Sequence, residues 1–297
     1  MSEFKIEQAG PTPARLGESP VWSVAEQALY YVDIAAHQVL RLGADGRLKQ
    51  WQMDAEPGCI ALTGGGLLVA RRDGLWCLDT ASGEEQQIAP PPFDPARQRF
   101  NDGKTDAAGR FWIGTIDDAR APQAALYRWA DGQFTAMADG ITNSNGLAWS
   151  PDQCTLYWTD TKAHEIYAFD FDLATGGIAN RRIFASFEPR APGQPLEAYG
   201  GRPDGAAIDA EGCLWVAMYE GARLVRLAPT GELLGEVRLP VRCPTMPTFG
   251  GPDLRTLYVT SARDGRPQEE LAREPWAGCV LKLQTAVPGR PPNLARR

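Results

Sequence analysis

Asn145-Gly146-Leu147-Ala148-Trp149-Ser150-Pro151-Asp152-Gln153-Cys154-Thr155-Leu156-Tyr157-Trp158-Thr159-Asp160 reads as a strand, a tight polar turn and a second strand. Ser-Pro-Asp-Gln supplies the turn, and Leu-Tyr-Trp-Thr favours a pleated, half-buried conformation. The second strand recurs as Leu29-Tyr30-Tyr31-Val32-Asp33, Leu67-Leu68-Val69-Ala70, Phe111-Trp112-Ile113-Gly114-Thr115, Leu214-Trp215-Val216-Ala217-Met218 and Leu257-Tyr258-Val259-Thr260-Ser261. The six starts lie 38, 44, 45, 58 and 43 residues apart. Turn residues precede each copy, and further strand-like segments follow, such as Ile166 to Asp170 and Arg223 to Leu227. About four short strands per 40–50 residues is the pattern of a propeller blade. The chain is therefore expected to be all-β, a six-bladed β-propeller, to which the polar residues considered below add a central metal site. No sustained 3.6-residue apolar period occurs, so no long helix is expected.

The repeats run nearly from end to end, which predicts one domain over residues 1–297. The Pro/Arg-rich segment 288–297 reads as a disordered tail. Phe4 to Glu7 and Cys279 to Gln284 both read as strands left outside the six hairpins, and their pairing would close the ring. Gly 31 and Pro 24 suit a turn-rich β chain. The net charge of −7 argues against a nucleic-acid partner. No apolar run is long enough for a membrane span, and the N-terminus has no apolar signal region, so a cytoplasmic protein with no membrane partner is expected. Six cysteines lack C-x-x-C spacing and read as free thiols, most of them buried. The two histidines, His37 and His164, fall in polar stretches and are expected at the surface.

Counting backwards from each second strand aligns four polar residues. Glu18 and Asn145 lie 11 residues before Leu29 and Leu156; Asn101 and Asp204 lie 10 before Phe111 and Leu214. Equivalent slots in different blades converge on a propeller's axis. Two carboxylates and two amides there would offer oxygen ligands, which suit a hard divalent cation such as Ca²⁺, Mg²⁺ or Mn²⁺. Strand capping and Asx-turns are the alternative use of the same residues. Arg97, Arg99 and Lys104 crowd Asn101, and Arg99 is a candidate to hold a substrate carbonyl or hydroxyl. Asp117 and Asp118 follow the third blade's second strand. The long Pro/Gly interval Glu188 to Pro203 ends on Asp204 and reads as a lid.

The segments Gly17-Glu18-Ser19-Pro20-Val21-Trp22, Arg99-Phe100-Asn101-Asp102-Gly103-Lys104, Ser144-Asn145-Gly146-Leu147-Ala148-Trp149-Ser150 and Arg202-Pro203-Asp204-Gly205 resemble the SMP-30/gluconolactonase/luciferin-regenerating family, in its order and spacing. The resemblance covers nearly the whole chain. It implies a regucalcin-like sugar lactonase with one divalent metal ion on the axis, Ca²⁺, Zn²⁺, Mn²⁺, Mg²⁺ and Fe(II) all remaining open. Glu18, Asn145 and Asp204 match the metal ligands, Asn101 a residue beside metal and substrate, and Arg99 a substrate contact. An acidic residue that binds sugar in the regucalcin-like members aligns with Ala119. Asp118, just before it, is taken as the substrate-binding substitute.

These expectations combine into hydrolysis of an aldonolactone to the aldonic acid. The metal would polarise the carbonyl and Asp204 would act as ligand and base. The partner is a small sugar lactone, and the protein a monomer or weak oligomer in carbohydrate metabolism. A metal-dependent esterase or organophosphate hydrolase on the same fold is one alternative. A non-catalytic metal-binding regulatory propeller is the other.

Overall fold

The computed structural model describes residues 4–296; Met1 to Glu3 and Arg297, the last residue of the expected tail, lie outside the described residues. Six four-stranded antiparallel sheets follow one another along the chain. The first blade comprises Gly17–Ser23, Ala28–Asp33, Gln38–Gly43 and Leu48–Gln52, from the axis outward. The inner strands of the next four are Pro57–Thr63, Gln98–Thr105, Ser144–Trp149 and Arg202–Ile208. The sixth blade is composite. Pro244–Gly250, Thr256–Ser261 and Leu281–Gln284 are joined at the outer edge by Glu7–Gln8. Glu7 lies opposite Lys282 and Gln8 opposite Leu281, so the two chain ends close the ring. Closure removes the open strand edge that a linear row of sheets would expose.

Alternating apolar residues explain why the sheets stack. Among the described residues six apolar clusters are found, each filling the space between two neighbouring blades. Trp112, Trp149, Leu156 and Phe171 lock the third blade to the fourth, for example. Turn chemistry repeats with equal regularity. Asp106 and Asp209 are fully buried and accept bonds from Trp112 Nε1 (2.9 Å) and Trp215 Nε1 (3.1 Å) in equivalent turns. The helical content is small: Gln268–Arg273 and a 3-10 turn at Leu196–Ala198. Among the described residues no helix is long and apolar enough to cross a membrane.

Each inner strand shifts register once against its neighbour. Glu18 and Asn145 are the last paired residues before the bulge, whereas Asn101 and Asp204 are the first residues inside it. The 11- and 10-residue spacings have another origin: each of the four residues lies equally far before the inner-strand residue paired with the start of the second strand (Trp22, Thr105, Trp149 and Ile208), and the connecting turn is one residue longer in the first and fourth blades. A bulge re-aims side chains that a regular strand would send to alternate faces. Gly146 sits in one such bulge at φ 61°, where a Cβ would overlap Thr159 Oγ1 and the Asp204 carbonyl.

Residues 288–296 form a strap rather than the disordered tail expected from composition. Ala210 N donates to Pro288 O (2.8 Å), Asn293 Nδ2 to Thr105 O (3.0 Å) and Ala295 N to Leu62 O (2.7 Å). The strap thereby crosses the end of the channel remote from the site. Residues 290–293 line a cavity of ≈ 330 Å³ there. Composition misled because backbone hydrogen bonds to the blades, and not side-chain burial alone, hold the segment.

Candidate active site at the mouth of the central channel

The opposite mouth holds a cavity of ≈ 410 Å³. Glu18, Arg99, Asn101, Asn145 and Asp204 all line it, although they come from four blades. The blade register thus brings together every residue of the expected set except Asp118. Asp118 is exposed and its carboxylate is engaged by Arg72, at 3.0 and 3.1 Å. That pairing holds its pKa below the ordinary aspartate range. Asp117 is buried beside it and accepts a bond from Ala121 N (3.2 Å).

Asn101 is the hub of the polar network. Its Nδ2 donates to Asn145 Oδ1 (2.8 Å) and to Ser144 O (2.8 Å), and its Oδ1 accepts from Arg99 NH1 (2.8 Å). Asn145 Nδ2 donates in turn to Thr161 Oγ1 (2.7 Å). These two bonds fix which side of the Asn145 amide carries oxygen, and they leave that oxygen a further lone pair.

Glu18 and Asp204 are buried, and among the described residues neither forms an ion pair with a lysine or arginine. Glu18 accepts a bond from Ser19 N (3.1 Å). Burial, followed by the nearby Asp204 and Asp102 carboxylates, pushes Glu18 well above the usual glutamate range. Burial and Asp102 do the same to Asp204. Asp102 is buried too, with Oδ2 accepting from Leu147 N (3.2 Å) and Oδ1 left without a partner. Lys104 tempers this negative region from within the channel and donates to Ala206 O (2.7 Å). Buried like charges without a counterion are costly. The donor set therefore fits a hard cation: two carboxylates and an amide oxygen, with no sulfur or imidazole among them. Among the described residues no group of three His, Cys, Asp or Glu side chains could hold a metal, so the amide oxygen of Asn145 would be needed to complete the set.

Sequence reasoning missed much of the rim. Arg120, Asn143, Lys162, His164, Arg202 and Tyr219 also line the cavity. His164 is therefore not the plain surface residue expected: its Nε2 lies 2.5 Å from Tyr199 Oη and its Nδ1 lies 3.1 Å from Lys162 O. Burial lowers its basicity. Tyr199 belongs to the long interval read as a lid, which this contact ties to the rim. A signal for these residues existed. His37, Arg120 and His164 occupy the same turn after the second strand in three blades, all with positive φ (56°, 58° and 61°).

A family model for the SMP-30/Gluconolactonase/LRE-like region matches residues 16–263, which contain every residue of the mouth described above. The chain belongs to this family. One SMP-30/gluconolactonase relative is the 6-deoxy-6-sulfogluconolactonase of Pseudomonas putida, 43% identical over 281 residues, with 93% of this chain and 94% of that protein covered. Human regucalcin is 41% identical over 295 residues, with 95% of each chain covered. The structure of a calcium-binding regucalcin from Agrobacterium tumefaciens superposes with a TM-score of 0.91 at 28% identity, covering 99% of this chain and 98% of that one. The six-bladed ring and the chain's passage through it are thus those of the SMP-30/gluconolactonase family.

Proposed function

We propose that this chain hydrolyses a sugar lactone to the open-chain acid at the channel mouth, with a divalent cation held by Glu18, Asn145 and Asp204. The observation that carries this reading is the convergence of two buried, unpaired carboxylates and an oriented amide oxygen on one polar cavity. Membership of the family and a relative named as a sugar lactonase support the reaction class, and a calcium-binding relative supports the cation. When bound, such a cation supplies Lewis acidity toward the lactone carbonyl.

The chain's own residues do the rest. Asp204 takes a proton from the attacking water as the new carbon–oxygen bond forms. It returns that proton to the ring oxygen as the ring carbon–oxygen bond breaks, so one water is consumed and the acid is released. Arg99 and Asn101 orient the carbonyl and hydroxyl oxygens, Arg99 being held in place by its bonds to Phe100 O (2.9 Å) and Asn101 Oδ1. Among the described residues Leu16, Ile34 and Ile116 are the only aliphatic side chains of the lining, and most of the others are polar or charged, which favours a polyhydroxylated substrate over an apolar ester or organophosphate.

The test is acid release from a panel of aldonolactones by metal-loaded and chelator-stripped protein, with metal content measured in parallel. Asp204→Ala should remove most activity. Asn145→Ala should weaken metal binding, with part of the rate recovered by excess metal. Arg99→Ala should spare the metal and lower kcat/KM. A protein that binds a divalent ion through these residues yet opens no lactone faster than free metal would be a metal-binding regulator instead.

A further inference from the structure

The inner strands meet in layers around the axis, and two charges just below the candidate ligands break the pattern of their layers. In every blade the slot of Glu18, Asn101, Asn145 and Asp204 lies equally far before the partner of the second strand's first residue, which makes Gly58 and Thr245 its two remaining members. One residue further on, the ring reads Ser19, Cys59, Asp102, Gly146, Gly205 and Met246. Three residues on, it reads Val21, Ala61, Lys104, Ala148, Ala207 and Thr248, and these line the cavity at the far end of the channel. Asp102 carries the one charge of the first ring, and Lys104 the one charge of the second.

Both side chains reach another blade, and both land two residues past a proposed ligand. Asp102 Oδ2 accepts from Leu147 N (3.2 Å), beyond Asn145 on the fourth blade. Lys104 Nζ donates to Ala206 O (2.7 Å), beyond Asp204 on the fifth, and so spans the channel past the fourth blade's inner strand. Ala148 and Ala207 in its own layer are small enough to leave that path open. Neither charge is spent on an ordinary pair. Asp102 is 3% exposed, and its Oδ1 has no partner. The bonds that Asp102 and Lys104 make go to main chain, so their charges meet through space. Burial raises the Asp102 pKa, and the Lys104 charge is first among the influences opposing that rise; burial lowers Lys104, and the Asp102 charge opposes it. Asp102 also acts on the ligands, since its charge is among the causes that follow burial in raising Glu18 and Asp204. It does not join them as a ligand, because among the described residues no three His, Cys, Asp or Glu side chains could hold one ion.

A buried carboxylate oxygen with no partner is costly, and a neutral side chain could accept the Leu147 bond as well. The opposite sign on Lys104 offsets that cost. Asp102 at −1 and Lys104 at +1 cancel, which leaves Glu18 and Asp204 to match a divalent ion. We propose that Asp102 and Lys104 are positioning residues of the cation site: each braces the strand of one ligand, and their opposed charges keep the site matched to a divalent rather than a trivalent ion. The inference rests on the reading above that Glu18, Asn145 and Asp204 hold a cation, and it adds what selects the charge of that ion.

The test titrates Ca²⁺ and Tb³⁺, ions of similar size and different charge, into the metal-free parent, Asp102→Asn, Lys104→Met and the double variant by calorimetry. The readout is the ratio of the two affinities, which discounts damage that weakens both ions alike; melts in chelator check that each variant is folded. Lys104→Met leaves Asp102 uncompensated and should shift the ratio about tenfold toward Tb³⁺. Asp102→Asn leaves Lys104 uncompensated and should shift it about tenfold toward Ca²⁺, the scale of one buried charge at an effective dielectric of about 20. The double variant cancels both changes and should return to within about threefold of the parent ratio. If Lys104→Met does not fold, Asp102→Asn against the double variant decides by the same criteria. Ratios within about twofold of the parent in the single variants overturn the charge matching and leave the cation site standing. So does a double variant as far from the parent as either single one. A parent that binds neither ion removes the cation from the lactonase reading itself, and this inference with it.

Discussion

Asn101→Ala tests whether the amide network, and not the proposed ligands alone, builds the site. The substitution removes bonds to Asn145 Oδ1, Ser144 O and Arg99 NH1, each 2.8 Å long. Neutral hydrogen bonds contribute about 0.5–1.5 kcal/mol each and one to a charged group about 1.5–3, so a loss of about 2–4 kcal/mol is expected after partial relaxation. A chain of this size loses roughly 2–4 °C of midpoint per kcal/mol, so the metal-free variant should melt several degrees below the parent. The functional effect is separate. Without its donor, Asn145 Oδ1 is no longer held toward the axis. Loss of an outer partner of a ligand typically weakens metal affinity about 10- to 100-fold. Thermal melts in chelator and calorimetric titration with Ca²⁺ and Mn²⁺ read the two effects independently. If the variant binds each ion within about twofold of the parent, the reasoning fails, because Asn145 would then be positioned without Asn101.

Three further outcomes are expected. Glu18 and Asp204 have folded pKa values raised by burial, so the stability they contribute is present at low pH and is lost as pH rises through those raised values. In chelator, the midpoint should therefore fall as pH is raised above the ordinary carboxylate range, Asp204→Asn should flatten that fall, and a divalent cation should reverse it in the parent; a chelated parent that gains stability over the same range would contradict this. Ending the chain after Val287 removes the bonds to Leu62, Thr105 and Ala210 and should cost about 2–4 kcal/mol at roughly 1 kcal/mol per bond, seen as a midpoint several degrees lower. Deleting residues 1–8 removes the outer strand of the sixth blade and the edge-on contact of Phe4 with Trp215 (centroids 6.4 Å), and it should also lower the midpoint clearly; a change within about a degree would mean that the short closing strand carries no stability.

Much of this protein was legible in its sequence because a propeller writes its fold as a repeat. The copies of Leu-Tyr-Trp-Thr fixed six blades, and a repeated unit that cannot bury both faces alone must stack on its neighbours. Counting within the repeat also placed Glu18, Asn101, Asn145 and Asp204 at one mouth, since rotation about an axis carries equal positions to equal depths. What the repeat could not specify was tertiary. Asp118 reads as a ligand-like acid beside the site until Arg72, 46 residues away, is seen to hold it. His164 reads as a polar surface residue until Tyr199 closes on it across 35 residues of chain. The tail reads as disordered until its amides meet carbonyls of Leu62 and Gly109 on distant blades. In each case the deciding partner lies outside the repeat unit, and a hydrogen bond or ion pair depends on distance and direction in space, which local composition does not encode.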